Sequence, residues 1–150
     1  PLKEMIFATF KDLKFMNDTR GVVELFVDIP EDFSFVCDKN RVQFILNNLL
    51  SNGIKYADLT KDKPKMEISA SSGDDAIAIT FRDNGIGIHT DILPHIFEMF
   101  YRGNVESSGS GLGLYIVKET VEKLGGTIQV ASEFKHFTSF TITLPQRNDF

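Results

Sequence analysis

Residues 47–57 read Asn47-Asn48-Leu49-Leu50-Ser51-Asn52-Gly53-Ile54-Lys55-Tyr56-Ala57. They end a helix predicted from an N-cap at Asp38 to about Ala57, with apolar positions at Val42, Ile45, Leu46, Leu49, Leu50 and Ile54. Asn48 and Asn52 stand one turn apart and share a face that the leucines avoid. Two amide oxygens so placed can orient waters or ligate a hard cation such as Mg2+. Lys55 lies near the same edge, within reach of a phosphate. An ordinary solvated helix face has the same pattern, so the stretch alone leaves both readings open.

Working outward, the next informative segment is Asp83-Asn84-Gly85-Ile86-Gly87-Ile88, at the end of a predicted strand. Alternate glycines allow backbone to pass close to a flat ligand, and a carboxylate at the strand end can accept an amino proton. A plain turn would also use Asp, Asn and Gly. Further on, Gly109-Ser110-Gly111-Leu112-Gly113-Leu114 opens a helix. Unpaired N–H groups at a helix N-terminus, free of nearby Cβ atoms, make a phosphate cradle. Ser110 suits either a cap or a phosphate contact. No Gly-Lys-Ser/Thr follows, so this is not a P-loop, and it follows a polar loop rather than a strand, unlike a Rossmann turn. A flexible loop leading into a helix remains the bland alternative.

Between these glycine segments lies Ile96-Phe97-Glu98-Met99-Phe100-Tyr101-Arg102. Phe97 and Phe100 have the spacing of core anchors at the base of a loop. Residues 101–110 read as a mobile loop, and Arg102 stands where it begins, placed to swing onto a terminal phosphate. His89, His95 and His136 show no metal-ligand spacing with Cys37 and are read as structural or surface residues.

The rest of the chain supplies a frame. A helix is expected over 2–16, strands over 22–28, 65–72, 76–83, 127–132 and 138–144, and a third helix over 111–124 that stops at Gly125-Gly126. Residues 33–36 suggest a short extended piece and 58–64 a charged loop. Helices alternating with strand pairs indicate an α+β sandwich, a mixed sheet with helices on one face. One domain over residues 1–150 is expected from the length.

Charge narrows the partners. The formal net charge is -5, with 16 Lys and Arg against 21 Asp and Glu. Binding a nucleic acid needs clustered cations, so that class is excluded, whereas a nucleotide held by backbone N–H groups is not. One cysteine rules out an internal disulfide framework and suits a reducing compartment. No apolar run is long enough for a transmembrane helix and no signal peptide opens the chain. The first residue is Pro1, from which we expect a processed or excised piece.

Taken in order, these segments resemble the GHKL nucleotide-binding superfamily, and within it the histidine kinase catalytic domain. NNLLSNGIKYA is similar to its N box, DNGIGI to its G1 box, IFEMFYR to its F box and GSGLGL to its G2 box. The ending GGTIQVAS…FTSFTITLP is similar to its last two strands, so the resemblance covers nearly the whole chain. It implies the Bergerat fold, a mostly antiparallel mixed sheet with three main helices on one face and a mobile ATP lid. It implies ATP and Mg2+ as ligands. Asn48 and Asn52 would place Mg2+, partly through water, and Lys55 would contact phosphate. Tyr56 and Tyr101 would line the nucleotide, with Asp83 receiving the adenine amino group and Gly85 and Gly87 beside the ring. Arg102 and Ser110 would meet the triphosphate, cradled by the backbone of Gly111, Leu112, Gly113 and Leu114. Catalytic roles would fall to Asn48, Lys55 and Arg102.

The superfamily's ATPases carry Glu where Asn48 stands, as general base for water. An amide cannot accept that proton, so the resemblance implies a nucleophile from outside. That would be a histidine on a dimerisation and phosphoacceptor domain of the same protein, in cis or in trans, with a response regulator receiver domain next in line. It also implies a cytoplasmic location without direct membrane contact by this domain. A GHKL serine kinase of the anti-sigma type and a nucleotide-sensing module without transfer are the competing readings. Three departures stand out. Gly53 occupies a position often held by Ala, at a small expected helix cost. Phe137 takes the place of a usual glycine before Thr138, which questions a ligand role for Thr138. No His-Glu phosphoacceptor motif occurs in these residues.

Overall fold

A computed structural model describes residues 2–17, 23–99 and 113–146. Its central helix, α2, runs Lys39–Lys55 after α1 (Leu2–Asn17) and strand β1 (Glu24–Asp28). Asp38 caps α2, accepting from the N–H groups of Asn40 at 3.0 Å and Arg41 at 3.3 Å. Val42, Ile45, Leu46, Leu49, Leu50, Gly53 and Ile54 are buried, the three-and-four spacing of one helix face. On its other flank α2 meets α1, which buries Leu2, Ile6 and Phe10. Gln43 Nε2 donates to the buried Thr9 hydroxyl at 2.7 Å between them. Each fully buried Leu or Ile side chain contributes about 1.5–3 kcal/mol by leaving water.

The chain continues through β2 (Lys65–Ser72), β3 (Ala76–Asp83), a 3-10 turn at Leu93–His95, α3 (Gly113–Lys123), β4 (Thr127–Glu133) and β5 (Phe137–Pro145). The sheet order is β1-β2-β3-β5-β4. Only β1 and β2 are parallel, joined by a crossover containing α2; the other neighbours are antiparallel. This is the expected α+β sandwich with a mixed, mostly antiparallel sheet. After Lys123 the chain turns at Gly125-Gly126, where the Gly126 N–H returns to the Val121 carbonyl at 3.0 Å. Residues 33–36 join no strand of the sheet.

Register decides what faces the helices. Ile68, Phe81, Phe140 and Val130 form one row across four strands, and Ala70, Ile79, Ile142 and Ile128 form the next. These rows pack into the core with Val117 and Val121 of α3. The other side carries Glu67, Arg82, Ser139, Thr141 and Gln129, as period-two alternation requires. One inner row breaks the apolar rule: Met66, Asp83, Thr138 and Ser132 stand opposite one another at one end of the sheet.

Gly53 has a neighbour that the sequence does not show. A Cβ there would meet the Sδ and Cε atoms of Met66. Met66 is only 1% exposed and fills the space that an alanine would take. An alanine here would require the flexible end of Met66 to shift, a contact between α2 and β2 that helix propensity does not register. Among the described residues no helix is long and apolar enough to cross a membrane.

Candidate functional site

The polar row at the sheet end holds Asp83, and the segment that follows it meets the C-terminal end of α2. Asp83 is the last residue of β3, and its Oδ1 accepts from the Gly85 N–H at 2.9 Å. Among the described residues its other oxygen has no hydrogen-bond partner. Burial pushes the Asp83 carboxyl from an ordinary 3.8 up to about 6, against the opposing pull of the Gly85 N–H, Lys61 and Arg82. A sheltered carboxylate with one oxygen unpaired is matched by a ligand that brings a donor.

Beside Asp83, Thr138 is buried, and its hydroxyl lies 3.0 Å from that of Ser132. Ser132 donates to the Phe137 carbonyl at 2.7 Å and accepts from the Ile88 N–H at 2.8 Å. Phe137, in the place of a glycine, directs its ring away from this row, under the guanidinium of Arg82 at 4.1 Å on the outer face. Thr138 therefore keeps its place next to Asp83 despite that departure.

The loop after Asp83 is pinned on both sides. Ile86 N–H donates to the Tyr56 carbonyl at 3.0 Å, tying it to the C-cap of α2. Lys135 N–H donates to the Ile86 carbonyl at 2.6 Å, tying it to the β4–β5 hairpin. The two glycines fit these ties. A Cβ on Gly85 would strike the Tyr56 carbonyl and Asp83 Oδ1. Gly87 has φ +71°, and a Cβ there would strike the Glu133 carbonyl. The close approach read from the glycines is thus, in part, an approach to protein backbone. Asn84 closes the third side: its amide accepts from Lys65 N–H at 2.8 Å and donates to the Lys63 carbonyl at 2.9 Å.

On α2, Asn48, Asn52 and Tyr56 are half-buried and Lys55 is exposed. Asn48 Nδ2 donates to the Phe44 carbonyl at 2.9 Å. A carbonyl can only accept, so this bond fixes which end of the amide is which. It leaves Oδ1 directed at the start of α3, where a Cβ on Gly113 would come within 3.0 Å of it. The segment around residue 48 and the end of the glycine-rich segment are therefore adjacent, though 65 positions separate Asn48 from Gly113. The residues fit a metal–nucleotide pair: a hard amide oxygen of fixed orientation at one end, and a half-satisfied carboxylate at the other. Among the described residues no cluster of three or more His, Cys, Asp and Glu could hold a metal.

Phe97 packs against the core and meets the Phe140 ring edge-on at 6.3 Å, with the Lys118 ammonium 5.7 Å from its centre. The three histidines lie on the surface, paired with Asp91, Glu98 and Glu133. Phe100, Tyr101, Arg102, Ser110, Gly111 and Leu112 lie outside the described residues. Sequence reading missed Lys61, whose ammonium donates to the Asn84, Gly85 and His136 carbonyls. It also missed Ser132, although a serine at the inward position after Ile128 and Val130 is a legible signal.

Comparison with known proteins agrees with this geometry. The model of a family described as histidine kinase-, DNA gyrase B-, and HSP90-like ATPase matches residues 37–148. The signal transduction histidine-protein kinase BaeS of Escherichia coli (strain K12) is 34% identical over 153 residues, covering 99% of this chain and 31% of that protein. The sensor protein VanS of Enterococcus faecium is 35% identical over 127 residues, covering 82% of this chain and 32% of that protein. Among solved structures, the mycobacterial sensor histidine kinase MprB is 25% identical with a TM-score of 0.79, covering 97% of this chain and 95% of that one. The chain belongs to this ATPase family and is a histidine kinase catalytic domain of the two-component type, with the Bergerat fold. It spans less than a third of the length of either curated relative.

Proposed function

We propose that these 150 residues act as one catalytic domain of a longer sensor kinase, on the cytoplasmic side of the membrane. The domain binds ATP with Mg2+ and passes the γ-phosphoryl group to a histidine on a separate dimerisation and phosphoacceptor domain. A response regulator then takes the phosphoryl group from that histidine. Asn48 carries the reading. Its amide is oriented by the Phe44 carbonyl, faces the end of the glycine-rich segment, and cannot take a proton from water. The site suits a nucleophile that arrives on another domain.

In this reading Asp83 accepts from the adenine amino group, and Gly85, Gly87, Tyr56 and Tyr101 line the nucleoside. Asn48 and Asn52 hold Mg2+, which supplies charge neutralisation on the phosphates. Lys55, Arg102 and Ser110 contact the triphosphate, and the backbone from Gly111 to Leu114 cradles it. An imidazole nitrogen forms the new N–P bond as the bond from the γ-phosphorus to the bridging oxygen breaks. ADP leaves with the electron pair, and the imidazole proton passes to solvent. Catalysis then rests on alignment and on stabilising charge, with no general base from this chain.

The test mixes the chain with labelled ATP, Mg2+ and a separately made phosphoacceptor domain. The expected product is acid-labile, base-stable phosphate on the acceptor histidine. Phosphate on a serine would favour the anti-sigma type of kinase. Tight ATP binding without transfer to any acceptor would favour a sensing module.

A further inference from the structure

The loop between α2 and β2 and the first residue of β2 carry Lys61, Lys63 and Lys65 within five residues, yet the structure treats them differently. Lys63 is exposed, and Lys65 pairs with Glu67 at 2.9 Å on the open face of the sheet. Lys61 is half-buried and forms no ion pair with a carboxylate among the described residues. Its ammonium donates instead to the Asn84 carbonyl at 2.6 Å, the Gly85 carbonyl at 3.2 Å and the His136 carbonyl at 3.1 Å. An ammonium has three donors, and all three are used. Fixing so long a side chain costs rotamer freedom, which the three bonds must more than offset.

We propose that Lys61 is a positioning residue for the nucleobase, locking the loop that follows Asp83 to the β4–β5 hairpin through the carbonyls of Asn84, Gly85 and His136. The chain of contacts is short. Gly85 offers its N–H to Asp83 Oδ1 while its carbonyl accepts from Lys61. Moving Gly85 therefore moves the bond that orients the Asp83 carboxylate. His136 lies in the hairpin whose flanking strands carry Ser132 and Thr138. Lys61 thus joins the two backbone segments that frame the base end of the site. The loop bearing it is stiffened locally, because Asp58 Oδ1 accepts from both the N–H and the hydroxyl of Thr60. The positive charge also favours the ionised form of Asp83, the form that can receive a donor on either oxygen.

This inference rests on the reading of the site as adenine-binding, and the test separates the two. Affinities for ATP and for inorganic tripolyphosphate, which lacks the base, are measured with the wild-type chain, Lys61→Met and Lys61→Gln. Thermal stability is followed in parallel. Lys61→Met should weaken ATP by about 10-fold, the loss of one or two charge-assisted bonds' worth of ordering, and leave tripolyphosphate unchanged. Lys61→Gln keeps two donors without the charge and should fall between. If both ligands weaken in the same proportion, or neither does in either variant, Lys61 does not position the base site. A wild-type chain that binds ATP no better than tripolyphosphate would overturn the adenine reading itself, and the inference with it.

Discussion

Replacing Asp83 with asparagine is expected to weaken ATP binding by about 100-fold while making the nucleotide-free domain more stable at pH 8. The two effects have one cause. Burial pushes the Asp83 carboxyl up to about 6, so the charged form is carried at a cost unless a donor arrives. Asparagine Oδ1 can still accept from the Gly85 N–H, which preserves the local turn. Its amide, however, presents donors where adenine also presents a donor. The pH dependence follows from the direction of the shift. Between about pH 4 and 6 the folded chain holds a proton that the unfolded chain has lost, so the Asp83 contribution lowers stability as pH rises through that window. Above pH 6 the penalty is fully present. Asp83→Asn removes it and should raise the unfolding free energy by about 1–3 kcal/mol at pH 8, with little gain near pH 4. Denaturant unfolding at the two pH values and calorimetric titration with ATP measure both halves. A variant that binds ATP as well as the wild type would show that adenine lies elsewhere.

The second large effect is expected at Asn48. Asn48→Ala should lower the rate of phosphoryl transfer to a supplied acceptor domain by about 100-fold or more, because charge on the transferring group loses one of its organised partners. The fold should survive. Asn48 is half-buried on the polar edge of α2, and the apolar face formed by Val42, Ile45, Leu46, Leu49 and Leu50 is untouched. Affinity for ATP in the absence of Mg2+ should change by no more than about threefold, since the base end of the site is intact. Transfer at the wild-type rate would remove Asn48 from the site. Equal loss of metal-free ATP binding would mean that it supports structure rather than transfer.

Much of this arrangement can be read from local pattern. The burial of α2 follows its three-and-four spacing, and the Asp38 cap follows the residue type at its start. The inward rows follow strand alternation, and the same rule places Asp83, Thr138 and Ser132 on the inner face once the strands are located. What local pattern does not carry is long-range. Three lysines in one charged stretch look alike until the carbonyls of residues 84, 85 and 136 converge on one of them. Gly53 looks like a minor helix defect until Met66 is found against it. The glycines at 85 and 87 look like room for a ligand, and they prove also to be room for the Tyr56 and Glu133 carbonyls. The insertion of β5 between β3 and β4 likewise comes from pairing between distant segments, and it sets Thr138 beside Asp83.

The claim on which the rest depends is that the Asp83 carboxylate receives adenine. Its ionisation can be followed directly, by carbon NMR of the Asp83 carboxyl across a pH series with and without ATP. Without nucleotide the group should titrate near 6. With ATP bound it should move down toward the ordinary carboxylate range, because an amino donor stabilises the charged form. The same midpoint with and without saturating ATP would contradict the account.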